Sequence, residues 1–313
     1  MELDVRVLRE LTLEPATHPR GIGHISAASG LVRIGDRYCV IADDEQHLAV
    51  FESTGAGPGR LIRLFDGDLP ASPKRRKAAK ADLEAIAVLP PHASWARGAV
   101  VAIGSGSRPQ RERAVLIGID ESGGLTTAPP CQIDLAPLYA ILRARLGTLN
   151  IEGAFACGDD FILLQRGNQA LTNACIRYRL DAFVRWCADP LRPAPTPHSI
   201  DLTDLGNAQG VPLTFTDGAA VGDGSWVFSA VAEDRDDSYD DGPCVAAAIG
   251  VCGSDDVVRS LELLEPTRKV EGIEARVVGT TVILTLVTDA DDPDHPAELG
   301  TTQVELSGLM ASR

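Results

Sequence analysis

Five short motifs carry a carboxylate or a hydroxyl at the start of an apolar run. They are marked by Ser29, Glu84, Glu152, Asp217 and either Glu271 or Glu274. With Glu274 as the last, they follow one another at intervals of 55 to 68 residues. Oxygen ligands of this kind can hold a hard cation, and carboxylates can transfer protons during hydrolysis. Such chemistry requires a fold that brings these distant residues to one place.

The segments after the motifs indicate the secondary-structure elements that would bring these residues together. Each motif leads into two short apolar runs joined by a tight Gly-containing turn, as in IEGAFACGDDFILLQ from Ile151. This pattern is typical of β-hairpins. A third strand follows each hairpin, for example HLAVFE, and a fourth follows some, for example RLIRLFDG. Four-stranded units repeated at this spacing predict the blades of a propeller.

The predicted fold is therefore all-β: a five-bladed β-propeller spanning residues 1–313 as a single domain. A six-bladed propeller, a β-sandwich and two smaller all-β domains are the alternatives. The fifth unit has only three strands, and the N-terminal segment DVRVLRELTLE could supply its fourth, which would close the ring and protect two sheet edges. Short helices are expected at 134–147 and 181–190, and the basic stretch 72–82 is interpreted as a solvated loop.

In a propeller the first strand of each blade lines the channel, so the motif residues should converge at one mouth. Asp82, two residues before Glu84, could share its face of the strand. Several carboxylates in one place repel one another unless a cation compensates them. Because the ligands are oxygens without matching His or Cys, Ca²⁺ is the expected ion. The alternative is that these acids form separate hydrogen bonds that tie neighbouring blades together.

The loops between the second and third strands return to the same mouth. They span 104–113, 165–173, 232–243 and 288–298, and they are longer and more polar than the turns at the opposite end. Long loops on a rigid scaffold are common binding sites. The candidate substrate-binding residues are Arg108, Arg111, Arg113, Arg166 and Asp236. The candidate catalytic residues are Glu84, Glu152, Asp217 and His295, the last as a general base.

Composition excludes several classes of partner. The formal net charge is −15, which disfavours nucleic acid and anionic membranes.

Two common catalytic motifs are absent from the sequence. No GK[ST] follows GSGS at 104–107, so this is not a P-loop, and no GxSxG nucleophile motif is present. The first residues carry no signal-peptide pattern, and the seven cysteines show no CxxC spacing, so we expect a cytoplasmic protein.

The stretch Lys269-Val270-Glu271-Gly272-Ile273-Glu274 resembles a KYEGIEF-like stretch of the calcium-dependent apyrases, the soluble nucleoside diphosphatases. That resemblance implies five blades and one Ca²⁺ in the central channel. Ser29, Glu84 and Glu152 are similar to the family's other ligands, and Glu271 would be the ligand of the last blade. Spacing to the following turn favours Glu274 instead. The chain departs from the apyrases at Asp217, where they have Ser, and at Gly30, where they have Glu.

The chain is also similar to uncharacterised bacterial propeller proteins of the esterase-like or phytase-like kind. Together these features predict a Ca²⁺-dependent hydrolase of a small anionic substrate, such as a phosphate ester, an anhydride or a lactone. The alternative is a non-catalytic propeller binding module with a structural calcium or no metal. The substrate's identity and the oligomeric state remain open at this stage.

Overall fold

The computed structural model describes residues 3–168, 171–234 and 242–306. Five antiparallel sheets surround a central channel, and each inner strand contacts the inner strands of the two neighbouring blades. The predicted five-bladed β-propeller is confirmed. The first strand, β1 (Arg6–Glu10), precedes blade 1 in the chain but belongs to the last blade.

The blades follow the chain in order, each beginning at the channel. Blade 1 contains β2 (Ala28–Ile34), β3 (Arg37–Ala42), β4 (His47–Glu52) and β5 (Arg60–Arg63). Blade 2 contains β6 (Leu83–Leu89), β7 (Ala99–Gly104), β8 (Arg113–Gly118) and β9 (Cys131–Asp134). Blade 3 contains β10 (Ile151–Cys157), β11 (Asp160–Gln165), β12 (Asn173–Arg179) and β13 (Ser199–Thr203).

Blade 4 is larger and begins with a two-residue strand. It contains β14 (Asn207–Ala208), β15 (Val211–Gly222), β16 (Ser225–Glu233), β17 (Cys244–Cys252) and β18 (Val258–Leu263). Blade 5 contains β19 (Val270–Val278), β20 (Thr281–Thr288) and β21 (Glu298–Glu305), and β1 is its outermost strand. Arg6 lies opposite Thr301 and Glu10 opposite Glu298, so the N-terminal strand closes the ring as expected.

The core lies between blades, where the apolar faces of neighbouring sheets meet. Val, Ile, Leu and Ala dominate it, and the few aromatics are concentrated at particular contacts. Phe215, Trp226 and Phe228 of blade 4 pack together, and Phe155 of blade 3 joins them with its ring centroid 5.5 Å from that of Trp226. Burial of these β-branched and aromatic side chains supplies the main driving force for stacking the blades.

Among the described residues, three α-helices connect the strands. They are α1 (Pro73–Ala79), α2 (Ala136–Leu146) and α3 (Leu180–Ala188). The two later helices lie where the sequence predicted them. The interpretation of 72–82 as a solvated loop is wrong, because this stretch forms α1 and its last lysine is buried. No helix among the described residues is long and apolar enough to span a membrane.

Candidate functional site

Every inner strand carries a β-bulge at the same level of the channel. At this level the pairing register omits one residue in each of β2, β6, β10, β15 and β19. The omitted residues are Ser29, Glu84, Glu152, Thr216 and Glu271. A bulge leaves its extra residue unpaired and bends the strand, which redirects the side chain. The fold thus repeats one local device five times around the channel.

Bulge residues from four blades line a single cavity at one mouth of the channel. The cavity has a volume of about 70 Å³ and is lined almost entirely by polar side chains. Its acids are Asp43, Asp82, Glu84, Glu152, Glu271 and Asp289. Its cations are Lys77, Lys80, Arg111, Arg166 and Lys269. The predicted convergence of Ser29, Glu84, Glu152 and Glu271 therefore occurs, but basic residues accompany the acids.

The two hydroxyl-bearing bulge residues tie neighbouring blades together. Ser29 Oγ donates a hydrogen bond to the carbonyl oxygen of Leu83 at 2.6 Å. Thr216 Oγ1 donates in the same way to the carbonyl oxygen of Val270 at 2.7 Å. In both cases the acceptor is the residue just before the bulge of the next blade. Ser29 thus has a structural bond in addition to its place in the cavity wall.

Asp217 does not lie at the mouth, in contrast to the expectation from the sequence. It follows the bulge residue Thr216, and it is not among the residues that line the cavity. Its carboxylate accepts backbone N–H bonds from Gly218 and Ile273, each at 2.8 Å. Burial raises the pKa of Asp217 well above its usual range, and the N–H groups of Ile273, Gly218 and Ala154 oppose that shift.

The choice between the two glutamates of blade 5 is clear from their positions. Glu271 lines the cavity at the mouth, whereas Glu274 lies with Arg33 in a separate cavity of about 280 Å³ farther along the channel. Glu274 therefore does not join the other motif residues. The spacing to the following turn wrongly favours Glu274. The distance from the bulge residue to the turn glycine is two residues longer in β19 than in β10.

Arg166 compensates the acids on one side of the cavity. Its Nη1 lies 3.2 Å from Oε2 of Glu152, and its Nη2 lies 2.8 Å from Oε2 of Glu233. Glu271 is a weaker partner at 3.8 Å. Asn150 Nδ2 donates to the second oxygen of Glu152 at 2.5 Å. Arg166 was expected to bind substrate, but here it is buried and engaged with the protein's own carboxylates.

Lys269 plays the same part beside blade 5. Its Nζ lies 3.1 Å from Glu233, 2.9 Å from Asp289 and 2.7 Å from Asp291. Burial lowers the pKa of this ammonium, but the surrounding carboxylates outweigh it and raise the pKa above the ordinary value for lysine. The blade 3–5 side of the mouth is thus a buried network of protein charges, in which mutual pairing offsets part of the cost of desolvation.

The blade 1–2 side has a different balance. Asp43, Asp82 and Glu84 can each direct one oxygen to a common point, since these atoms lie within 4.8 Å of one another. Among the described residues, the Glu84 side chain has neither a hydrogen bond nor an ion pair. Burial is the main cause that raises the pKa of Glu84, and the charges of Asp82, Glu152 and Asp43 add to it. Lys80 is the cation that opposes these carboxylates.

Asp82 is held in place by several groups. Arg111 Nη1 lies 2.7 Å from its Oδ2, and Ser105 Oγ donates to the same oxygen at 2.5 Å. Lys80 Nζ lies 2.8 Å from its Oδ1 and also pairs with Asp43. The backbone of Asp82 has φ +56°, a left-handed conformation that non-glycine residues seldom adopt and that often marks functional positions.

The remaining predicted residues lie away from the cavity wall. Arg108 and Arg113 are exposed, the first beside the short helix Pro109–Arg111 and the second at the start of β8. His295 is 73% exposed and its Nδ1 lies 2.8 Å from Asp292. Nothing in this position aims it at the cavity. Asp236 lies outside the described residues.

Sequence reasoning missed Asp43, Lys80, Lys269 and Asp289. Asp43 could have been found, because it opens the loop between β3 and β4, the blade 1 equivalent of the other four mouth loops. Asp289 lies within one of those loops. The two lysines carried no such signal, since basic residues in an acidic chain usually remain in water.

The fold and the cavity define a class: a five-bladed propeller whose channel mouth holds a mixed-charge site built on five equivalent bulges. The chain belongs to DUF6929, a family of unknown function, whose profile matches residues 24–304. No curated protein gives a significant sequence match.

Several solved propeller structures are similar to the chain at low sequence identity. The glutaminyl cyclase of Myxococcus xanthus is 9% identical, with 97% of this chain and 98% of that one covered and a TM-score of 0.48. The catalytic domain of the GH62 α-L-arabinofuranosidase of Coprinopsis cinerea is 14% identical, with 96% of both chains covered and a TM-score of 0.47. The α-L-arabinofuranosidase Arb93A of Fusarium graminearum is 6% identical, with 97% and 99% covered and a TM-score of 0.45.

Proposed function

We propose that this propeller is a divalent-cation-dependent hydrolase of a small anionic substrate, with Ca²⁺ as the ion and the site at the channel mouth. The observation that carries the proposal is the group formed by Asp43, Asp82 and Glu84. Their oxygens lie within 4.8 Å of one another, and Glu84 makes no hydrogen bond or ion pair among the described residues, although the charge of Lys80 lowers its pKa. A buried carboxylate that lies close to other acids favours the binding of a cation.

The donor set fits calcium. The three ligands are carboxylates, and Asn150 and Ser29 add neutral oxygens to the same cavity wall. Hard oxygen ligands without His or Cys favour Ca²⁺ over zinc or copper. Arg111 and Ser105 would keep Asp82 oriented toward the ion, because both bond to its Oδ2.

The protein's own groups suit the hydrolysis of an anion. A bound Ca²⁺ would polarise the reacting group and make a bound water more acidic. Glu152, fixed by Asn150 and Arg166, faces the same cavity and is the candidate acceptor for the proton of that water. Lys77, which lines the cavity from α1, is placed to attract the negative charge of a phosphate ester, an anhydride or a carboxylate.

The first test is thermal unfolding in EDTA, in Ca²⁺ and in Mg²⁺. A ligand that binds only the folded state at a hundred-fold excess over its Kd adds about 2.7 kcal/mol of stability. We expect a rise in Tm with Ca²⁺ that exceeds the rise with Mg²⁺. A panel of phosphate esters, anhydrides and lactones then tests turnover in the same buffers. No shift with either ion would remove the basis of the proposal.

Glu84→Gln is the sharper variant, since it keeps the shape of the side chain and removes its charge. We expect it to abolish both the Ca²⁺-dependent rise in Tm and the hydrolysis. Glu274→Gln is the matched control, because Glu274 lies on an inner strand of the same channel but outside the mouth cavity. Full Ca²⁺ stabilisation of Glu84→Gln would contradict the proposed site.

The size of the cavity supports a second candidate, a non-catalytic binding module stabilised by calcium. A volume of about 70 Å³ holds an ion and a few waters, whereas sites for small organic ligands usually measure about 300–1,000 Å³. Ca²⁺-dependent stabilisation without turnover of any compound in the panel would favour this candidate.

A further inference from the structure

The helix α1 is attached to the propeller by polar contacts. None of its residues is buried. Arg76 Nε lies 3.2 Å from Asp44, and the carbonyl oxygens of Lys77 and Ala78 accept side-chain hydrogen bonds from Arg111 and Gln110, each at 3.3 Å. A segment that buries little apolar surface has a low free energy of local opening. The charges around it therefore decide whether it stays docked.

The strongest of these contacts involves the proposed cation site. Lys80, which follows the last residue of α1, is buried, and its Nζ pairs with both Asp43 and Asp82. Two of the three candidate ligands are thus already bound by an ammonium group of the protein. A divalent cation at the same carboxylates would lie close to this ammonium and be repelled by it.

We propose that Lys80 is a tethered competitor for the cation site, and that α1 leaves the channel mouth when Ca²⁺ binds. The inference rests on the proposed function, since it concerns the same carboxylates. Lys80 then sets the affinity for the ion: the docked ammonium keeps the site satisfied at low Ca²⁺, and the ion displaces it at high Ca²⁺.

The displacement also changes access to the site. Lys77 and Lys80 are both part of the cavity wall, so movement of α1 enlarges the cavity from the side of blades 1 and 2. The departing helix carries the basic sequence KRRKAAK and remains next to the mouth through its connection to β6. An anionic substrate therefore meets an open, Ca²⁺-loaded site with a basic segment beside it.

The test compares Ca²⁺ binding by isothermal titration calorimetry in the wild type, Lys80→Met and Lys74→Met. Lys74 is an exposed residue of the same helix and serves as the matched control. Removing a charge that pairs with two ligands should tighten Ca²⁺ binding by about ten-fold or more. Lys74→Met should bind like the wild type. Equal affinity in the wild type and Lys80→Met would overturn this inference and leave the proposed cation site standing.

The other outcomes also separate the two proposals. If Lys80→Met binds Ca²⁺ and the wild type does not, the competition by Lys80 is supported, and the proposal that the wild type binds Ca²⁺ is contradicted. Absence of binding in every variant would overturn both proposals. If Lys80→Met fails to fold, Arg76→Met loosens α1 without touching a candidate ligand, and it too should bind Ca²⁺ more tightly than the wild type. An unchanged affinity in that variant would again overturn the competition.

Hydrogen exchange of the wild type provides the structural readout. Amides of the segment 73–80 should exchange faster in saturating Ca²⁺ than in EDTA, because the ion releases Lys80. The inner strand β6 should exchange more slowly under the same conditions. Slower exchange of 73–80 in Ca²⁺ would show that the ion holds the helix down, and it would overturn the proposed release.

Discussion

At the scale of single residues, the centre of this propeller uses adjacent positions of one strand for different tasks. Thr216 occupies the bulge of β15, and its hydroxyl holds the next blade. Asp217, one residue later, accepts backbone N–H groups of its own strand and of β19. A buried carboxylate thus serves as a hydrogen-bond acceptor between blades.

Asp217→Ala should be among the most destabilising substitutions in the channel. It leaves two buried N–H groups, those of Gly218 and Ile273, without their acceptor. An unsatisfied buried donor costs about 1–3 kcal/mol, so two of them should lower the free energy of unfolding by about 2–6 kcal/mol, measured by urea denaturation.

Asp36→Ala is the control for that measurement. Asp36 is exposed, with a distant ion pair of 3.9 Å to Arg33, and exposed pairs contribute about 0–1 kcal/mol. Similar losses in the two variants would mean that the Asp217 hydrogen bonds add nothing beyond an ordinary surface contact.

The sequence predicts the positions of single site residues less precisely than it predicts the strands that carry them. The sequence pattern indicates Asp217 as the motif residue of blade 4, whereas the bulge lies one residue earlier, at Thr216. A shift of one position along a strand moves a side chain to the other face. Neither the bulge nor its position can be recognised from residue types alone, since the omitted residues include Ser, Thr and Glu.

At the scale of elements, the bulges require small residues where inner strands approach one another. Gly272 follows the bulge of β19, and a Cβ there would lie 2.8 Å from the backbone Cα of Gly30 and from the backbone N of Leu31. Backbone atoms cannot move aside as a flexible side chain can. The close approach of β19 and β2 at the point where blade 5 meets blade 1 therefore depends on glycine.

Gly272→Ala should separate these two strands and destabilise the fold. Overpacking of a well-packed interior typically costs about 1–3 kcal/mol, and we expect a loss of that size by urea denaturation. Gly57→Ala is the matched control, because a Cβ at Gly57 meets no atom within 4 Å and its backbone is not left-handed. Equal stability of the two variants would show that the strands can separate at no cost.

The elements themselves were largely predictable because their hydrophobic pattern is local. Hairpins made of short, continuously buried apolar runs joined by Gly turns, and the helices α2 and α3 with apolar residues to bury, are specified by short stretches of sequence. The helix α1 was missed for a physical reason. It contributes no buried side chain, and it is held by charges of distant loops that only the assembled propeller brings near.

At the scale of the whole molecule, the fold gathers six acids and five basic residues at one narrow mouth of the channel. Ring closure by β1 brings blade 5 against blade 1, and with it Lys269 and Asp289 against the mouth shared with Asp43. The acids that closure gathers cannot all be ionised at low cost. Their titration should therefore be visible in the stability of the entire domain.

The direction of this effect follows from the pKa shifts. Burial raises the pKa of Asp289 to about 7 from 3.8, with Lys269 opposing and Asp291 and Asp43 adding to the rise. Burial likewise raises the pKa values of Glu84 and Glu271. Between the unfolded and folded pKa of such a carboxyl, the folded state binds more protons than the unfolded state, so its stability falls as pH rises through that window.

We therefore expect the Ca²⁺-free protein to lose stability between pH 4 and pH 7, and Asp289 alone can account for at most about 4 kcal/mol of that loss. Urea denaturation at pH 5, 6, 7 and 8 in EDTA measures the slope. Asp289→Asn should flatten it, because the titrating group is gone. Saturating Ca²⁺ should also flatten it, since an ion at Asp43, Asp82 and Glu84 favours their charged forms. A stability that rises steadily from pH 5 to pH 8 in EDTA would contradict the raised pKa values. It would also mean that the basic residues of the mouth suffice to keep its carboxylates ionised.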